Sequence, residues 1–130
     1  MKENVLADKS KRFAIKVVQL YKYLNDTQRE YILSKQLLRC GTSIGANAKE
    51  GAYAQTKADL ITKLFIAQKE CAETEYWLEL LYETEYLPKD KFENIHRDCQ
   101  ELMRILVAST KTLQGKMRQK TISDLKQSRI

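Results

Sequence analysis

The residues most suggestive of chemistry lie in a glycine-rich stretch, RCGTSIGANAKEG, at positions 39–51. Stretches of this kind can cradle phosphate groups with their backbone amides. A phosphate-binding P-loop has a lysine and a hydroxyl residue directly after its last glycine, whereas Gly51 is followed by Ala52 and Tyr53. The dinucleotide-binding fingerprint follows a strand, and no strand is predicted before this stretch. We therefore predict that the stretch is helical, with its glycines where a neighbouring helix comes close.

A second candidate is Glu93-x-x-His96, the spacing with which ferritin-like bundles bind iron. Such a site uses the motif on two helices, but His96 is the only histidine in the sequence. We therefore interpret His96 as a lone surface side chain. Neither Ser43 nor any cysteine has a sequence-evident base that would activate it as a nucleophile. The sequence thus predicts a non-enzymatic chain with no catalytic residue, cofactor or metal ion.

Polar side chains also recur at helical spacing from position 39 to position 50. A network joining Arg39 to Glu70 or Glu73 would provide partners for polar groups that are costly to bury. Such a network either fixes the register between two helices or forms a functional polar site. The predicted internal polar network consists of Arg39, Ser43, Asn47, Glu50, Glu70 and Glu73. A weaker alternative is a carboxylate metal site formed by the three glutamates of this set.

The elements that position these residues follow from the apolar pattern. Apolar or small residues recur at alternating spacings of three and four in four segments, as in the seam of a helical bundle. The predicted helices span about 4–24, 28–53, 57–84 and 88–115. Short connections make consecutive helices antiparallel. We therefore predict an all-α, up-down-up-down four-helix bundle over residues 1–117.

The boundaries of the predicted helices rest on local signals. Residues 27–30 and 56–59 both match a capping box, in which a threonine hydroxyl and an acidic side chain bind free amides at a helix start. Pro88 suits the start of the fourth helix, because its missing N–H costs nothing there. Gly115 is a plausible helix end. Residues 118–130 are then predicted to form a flexible basic tail.

Composition bounds the class of protein. The chain of 130 residues is 43% hydrophobic and 31% charged, as expected for a helix-rich globular domain. It has no run of about 18 apolar residues that would span a membrane, and its charged N-terminus lacks the apolar core of a signal peptide. The three cysteines are odd in number and form no CxxC motif, so we interpret them as buried thiols of a cytoplasmic protein.

The net charge is concentrated at the C-terminal end. Residues 111–130 carry six basic side chains and one acidic one, which accounts for +5 of the net charge of +6. Such a segment either contacts a polyanion or is a solvated end that aids solubility. In the predicted topology it would lie near the basic residues at the start of the first helix. The candidate nucleic-acid-binding residues are Lys9, Lys11, Arg12, Lys16, Lys111, Lys116, Arg118, Lys120, Lys126 and Arg129.

Two blocks of sequence carry a family resemblance. KQLLRCGTSIGANAKEG at 35–51, followed by FIAQKECAETEYWLELL at 65–81, resembles the four-helix-bundle family encoded within 23S rRNA intervening sequences. The resemblance extends over about residues 5–118. A related branch is the accessory variability determinant of diversity-generating retroelements, which works beside a reverse transcriptase. The resemblance implies a homopentamer with nucleic acid as its ligand.

The second and third helices also carry more apolar side chains than one buried face requires, which favours a partner surface. The candidate oligomer interface is Ile61, Phe65, Tyr76, Trp77 and Leu80. Our leading hypothesis is a homo-oligomeric bundle that binds structured nucleic acid, in particular RNA, by backbone and shape recognition. The alternative is a protein-interaction or scaffold module, for example an accessory subunit of a reverse transcriptase.

Overall fold

The chain folds into four α-helices. The computed structural model describes the backbone of residues 2–128 and the side chains of residues 5–128. The helices are α1 (Lys2–Asp26), α2 (Leu33–Ala52), α3 (Lys57–Glu83) and α4 (Lys89–Ser128). Over the described backbone there is no strand, so the prediction of an all-α, four-helix fold is confirmed. None of these helices is both long enough and apolar enough to cross a membrane.

Each helix packs against two neighbours in an antiparallel arrangement. α1 and α3 both contact α2 and α4. Pairs of contacts along the helices show the direction: Lys9 of α1 pairs with Glu101 of α4, whereas Lys16 pairs with Asp98. The predicted seams meet along the central axis. Within the helices, the most deeply buried large hydrophobic side chains are Phe13, Val17, Leu24, Leu37, Ile44, Leu78, Leu81, Leu102 and Leu106.

The glycines of α2 allow α1 and α2 to pack closely. A Cβ atom added to Gly41 would lie 2.8 Å and 2.9 Å from the two γ-methyl carbons of Val17. A Cβ atom at Gly45 would lie 3.3 Å from the hydroxyl oxygen of Ser10. The distances at Gly41 are shorter than any ordinary contact, so a side chain there would push the helices apart. At Gly45 the neighbouring Ser10 would have to shift by a few tenths of an ångström. The prediction that this stretch is a closely packed helix is confirmed.

The start of α2 differs from the prediction. Residues 27–30 form the connection after α1, and α2 begins only at Leu33. The Glu30 carboxylate reaches forward and accepts hydrogen bonds from the backbone N–H groups of Ile32 (3.1 Å), Leu33 (3.0 Å) and Ser34 (2.7 Å). Arg29 adopts a left-handed φ of 57°, which turns the chain before this cap. Glu30 is therefore a capping residue, but for a helix that begins five residues later than predicted.

The starts of α3 and α4 agree with their local signals. The Thr56 hydroxyl oxygen accepts a hydrogen bond from the Asp59 N–H at 3.1 Å, which confirms the capping interaction predicted at residues 56–59. The Pro88 carbonyl accepts the first helical bond of α4, from the Phe92 N–H at 2.9 Å. Pro88 therefore precedes the helix directly, at a position where it has no N–H to leave unpaired.

Gly115 does not end α4, which is the second correction to the predicted boundaries. The helix continues to Ser128, and no glycine in the described residues has a positive φ. One glycine in a helix costs only about 1 kcal/mol relative to alanine, which is too little to stop a helix whose other residues favour it. Residues 118–128 are exposed throughout, and this projecting end of α4 is about 16 Å long. Thus the predicted flexible tail is helical as far as Ser128, and Arg129 lies outside the described residues.

Candidate functional site: polar and basic surfaces of the bundle

The predicted contact between Arg39 and the α3 glutamates is present. The Arg39 guanidinium pairs with Glu70 at 3.5 Å and also with Glu73. The indole Nε1 of Trp77 donates to the same Glu73 carboxylate at 3.1 Å. However, the Arg39 side chain is 52% exposed, so this is a surface clamp between α2 and α3 and not an internal network.

The other predicted members of the network do not join this clamp. The Ser43 hydroxyl donates to the Arg39 carbonyl at 2.7 Å, and the Asn47 side-chain amide donates to the Ser43 carbonyl at 2.8 Å. Short polar side chains often bond to their own helix in this way, which removes the need for a partner on another helix. Glu50 pairs with Lys63 at 2.8 Å, about 16 Å along α2 from Arg39. The three glutamates therefore do not converge into the carboxylate metal site considered as an alternative.

His96 is not the lone surface side chain that the sequence suggested. Its side chain is only 19% exposed, and its Nε2 lies 3.1 Å from a carboxylate oxygen of Glu75 and 3.2 Å from one of Glu79. The imidazole ring stacks on Phe92 with 4.7 Å between ring centroids. Glu93, the acidic residue of the apparent Glu-x-x-His motif, is exposed.

The carboxylate partners of His96 come from α3, so the motif within α4 was misleading. Glu75 and Glu79 are four residues apart and therefore share one face of α3. The spacing of Glu75 and Glu79 was the signal in the sequence that could have predicted a pair of carboxylates on one face of α3. The register between α3 and α4, which brings the pair to His96, could not be derived from the spacing within either helix.

All three cysteines are buried free thiols, as predicted. Burial raises the pKa of the Cys40 thiol to about 11. The hydrogen bond with Cys71 and burial raise the pKa of Cys99, whose sulfur lies 3.7 Å from that of Cys71. A thiol must lose its proton to act as a strong nucleophile, so Cys40 and Cys99 are unreactive near neutral pH.

The basic residues of α1 lie away from the end of α4. Lys9 pairs with Glu101 at 2.9 Å, and Lys16 pairs with Asp98 at 2.5 Å. Lys9 is therefore level with Glu101, about 15 Å along α4 from Lys111. The predicted proximity of the two basic groups was wrong because the axial register pairs Lys9 with Glu101 and Lys16 with Asp98. The C-terminal part of α4 therefore runs past the start of α1.

The two other predicted candidates of α1 are Arg12 and Lys11. Arg12 pairs with Asp8 one turn earlier at 3.2 Å, and Lys11 is exposed beside it. Lys9, Arg12 and Lys16 thus each have an acidic partner. Residues 111–128 of α4, by contrast, hold five basic side chains and one acidic one.

A row of basic side chains runs along the outer face of α4. Arg97, Arg104, Lys111 and Arg118 are all exposed and are spaced seven residues apart. Seven residues are nearly two helical turns, so successive members lie about 10.5 Å apart on one side of the helix. We call this set the α4 basic row. It lies opposite the buried seam of α4 that contains Cys99, Leu102 and Leu106.

The α4 basic row includes residues that the sequence analysis missed. Lys111 and Arg118 were among the predicted candidates, whereas Arg97 and Arg104 were not. The seven-residue spacing was the signal that could have identified them. Three further candidates are also exposed on the last part of the helix: Lys116, Lys120 and Lys126.

The predicted oligomer interface is only partly a surface. Ile61 is 9% exposed and packs within the bundle, so it does not contribute to an outer face. Trp77 and Leu80 are half-buried. Phe65 and Tyr76 are 40% and 57% exposed, respectively. They are eleven residues, or three turns, apart and therefore share the outer face of α3.

This fold, with its closely packed α2 and its two outer surfaces, defines a small four-helix bundle. The sequence profile of the 23S rRNA-intervening sequence protein family matches residues 2–108. The chain belongs to this family, as the resemblance predicted. The projecting end of α4, residues 118–128, lies outside the matched region.

A solved structure supports the same assignment. The chain is similar to a protein of unknown function from the S23 ribosomal protein family of Bacteroides thetaiotaomicron VPI-5482, with 52% sequence identity and a TM-score of 0.84. The similarity covers 85% of this chain and 99% of that chain. A search of curated proteins finds no match.

Proposed function

We propose that this chain is a non-enzymatic, homo-oligomeric helical bundle that binds structured nucleic acid, with RNA as its main ligand. The observation that carries the proposal is the α4 basic row, Arg97, Arg104, Lys111 and Arg118, which is exposed along one side of the longest helix. The membership in a family named for an intervening sequence of 23S rRNA is consistent with an RNA ligand.

The chemistry of the α4 basic row suits the phosphate backbone more than the bases. Basic side chains that neutralise phosphates release counterions, and this gives affinity without sequence preference. Guanidinium groups such as those of Arg104 and Arg118 bind phosphate oxygens in a bidentate way. We therefore propose recognition of backbone and shape, in which the projecting end of α4 extends the contact beyond the bundle.

Self-association would bring several copies of the α4 basic row into one assembly. Phe65 and Tyr76 are exposed on the outer face of α3, with the small residue Ala72 exposed between them. Large apolar side chains on an outer helix face favour a protein contact. We propose that this face joins subunits into a closed ring, a pentamer in the family pattern, so that several α4 basic rows bind one nucleic acid together.

Binding of a structured 23S rRNA fragment across a salt series tests the nucleic-acid proposal. Four phosphate contacts per subunit predict a slope in log K against log salt of about −3 for each subunit that contacts the RNA. The double variant Arg104→Gln/Lys111→Gln should flatten this slope by about 1.5 for each such subunit. The matched control is Lys35→Gln/Lys49→Gln, which removes the same charge from exposed positions on α2, the helix diagonal to α4. Equal loss in both variants, or no binding at low salt, would refute the role of the row.

The oligomer is tested by the molar mass in solution. Light scattering after gel filtration should give a mass several times the 15.2 kDa of one chain. The variant Phe65→Ser/Tyr76→Ser should give a smaller species with unchanged helix content. A monomeric wild-type protein at micromolar concentration would contradict the proposal. So would an unchanged assembly in the variant.

The second candidate, a protein-interaction module, is favoured by apolar side chains at one end of the bundle. Tyr31, Ile32 and Tyr86 are 47%, 75% and 37% exposed. They lie in the α1–α2 and α3–α4 connections, which are at the same end of an antiparallel bundle. Such a module, for example an accessory subunit of a reverse transcriptase, would lose its partner on substitution of Ile32 by serine and would keep it in the α4 variant described above.

A further inference from the structure

The α3–α4 face contains a cluster of ligating side chains that the proposed function does not use. Glu75 and Glu79 of α3 and His96 of α4 place one carboxylate oxygen each and one ring nitrogen within 4.8 Å of one another. The Nε2 of His96 is 3.1 Å from Glu75 and 3.2 Å from Glu79. All three side chains are partly exposed, so a small ion can reach them from solvent.

Hydrogen bonding alone satisfies this arrangement poorly. One imidazole nitrogen carries at most one proton, and that proton cannot point at two carboxylates with good geometry. The second carboxylate is then held near the first without a proton between it and the ring. A cation placed among the three atoms would interact favourably with both carboxylates and with the nitrogen lone pair.

The imidazole is already oriented for such a role. Its ring stacks on Phe92, and Phe92 stacks in turn on Tyr82 with ring centroids 4.4 Å apart. This aromatic stack limits rotation of the His96 ring and keeps Nε2 directed at α3. Ordered surroundings of this kind increase the affinity of a metal ligand, because less freedom is lost on binding.

The distances match those of a small transition-metal ion. Zinc binds histidine nitrogen and carboxylate oxygen at about 2.0–2.2 Å, so neighbouring ligands in a tetrahedral site are about 3.3–3.5 Å apart. The two N···O distances, 3.1 Å and 3.2 Å, are close to this value. Mg²⁺ and Ca²⁺ prefer oxygen ligands alone, whereas imidazole favours zinc and its neighbours.

We propose that Glu75, Glu79 and His96 form a binding site for a divalent first-row transition-metal ion, with Zn²⁺ as the best-fitting ion. The ion links α3 to α4 and leaves one coordination position for water. This site differs from the sequence-based expectation of no metal, and it uses none of the three glutamates that the sequence analysis considered as an alternative. It is independent of the α4 basic row and of RNA binding.

Titration of the metal-free, full-length protein with ZnCl₂ in a calorimeter tests the site. We expect one Zn²⁺ per chain with a micromolar or tighter Kd, and weaker binding by at least tenfold in both His96→Gln and Glu79→Gln. Glu93→Gln is the matched control, because Glu93 is an exposed acidic residue on α4 near His96 and outside the cluster. Circular dichroism checks that each variant retains its helix content.

Three outcomes would overturn the proposal. One is the absence of detectable Zn²⁺ binding by the wild-type protein at about 0.1 mM Zn²⁺. Another is equal affinity in His96→Gln and Glu79→Gln to that of the wild type, which would place the ion elsewhere. The third is a Co²⁺-loaded protein with the intense near-ultraviolet absorption of thiolate ligation, which would assign the ion to the cysteines.

Discussion

Replacement of Gly41 by alanine provides a direct test of the close packing between α1 and α2. The added Cβ atom would lie 2.8 Å and 2.9 Å from the γ-methyl carbons of Val17, about 1 Å closer than a normal carbon–carbon contact. Val17 is fully buried and its β-branched side chain has little rotamer freedom, so it cannot move aside. The two helices must separate locally.

The size of the effect follows from two opposing contributions. Alanine in place of glycine favours the helix by about 1 kcal/mol, whereas overpacking a buried contact costs about 1–3 kcal/mol. Because the overlap at Gly41 is with the rigid, fully buried Val17, the overpacking cost lies in the upper part of that range, about 2–3 kcal/mol. We therefore expect Gly41→Ala to lower the free energy of unfolding by about 1–2 kcal/mol. At Gly115, where an added Cβ atom meets no other atom within 4 Å, only the first contribution remains. Gly115→Ala should therefore raise the free energy of unfolding by about 0.5–1 kcal/mol.

Urea unfolding, followed by circular dichroism at one fixed protein concentration, measures both changes. The double variant Gly41→Ala/Val17→Ala removes the steric overlap, so its loss should be smaller than the sum of the two single losses. A Gly41→Ala protein as stable as the wild type would refute the reasoning. It would show that the helices can separate at little cost and that glycine is not required for their approach.

Three further predictions concern the connections and a buried thiol. Glu30→Ala removes the acceptor of three backbone N–H groups and should lower the free energy of unfolding by about 2 kcal/mol in the same urea assay. The control Glu93→Ala, at an exposed position, should change this free energy little. Glu85→Gly should raise the free energy of unfolding by about 0.5–1 kcal/mol, because Glu85 adopts a left-handed φ of 68° that glycine accepts without strain. A lower free energy of unfolding in this variant would contradict the explanation. Burial raises the pKa of Cys40 from 9.0 to about 11, so the folded state keeps a proton that the unfolded state loses as the pH rises. The contribution of this proton to stability is complete below pH 9 and decreases towards pH 11. Between pH 8 and about pH 10.5, the free energy of unfolding of the wild type should therefore fall by an amount on the order of 2 kcal/mol more than that of Cys40→Ala. Equal decreases in the two proteins would show that another group is responsible.

The sequence alone determined the class of fold and much of the local structure. The alternating spacing of apolar residues predicts four helices, and the cap at Thr56 and the position of Pro88 agree with the structure. These features depend on residues within one or two turns of each other. The same holds for the glycine-rich stretch, because the two residues that follow Gly51 are enough to exclude a phosphate-binding loop.

Local signals failed at two helix boundaries, for two different reasons. Residues 27–30 match a capping box, but the Glu30 carboxylate binds the N–H groups that follow it and delays the helix. Gly115 matches a helix end, but the helix continues because it needs no left-handed turn there. At residues 27–30 and at Gly115 the residue types suit a helix start and a helix end, but the backbone forms neither boundary there.

The tertiary structure decided which side chains meet between helices. It brings His96 to Glu75 and Glu79, separates Glu50 from the Arg39 clamp, and pairs Lys9 with Glu101 well short of Lys111. The pattern within a helix gives the face on which a residue lies, but the axial offset between two helices depends on how all of their core side chains interlock. That offset is a non-local property, and the surfaces with functional potential depend on it.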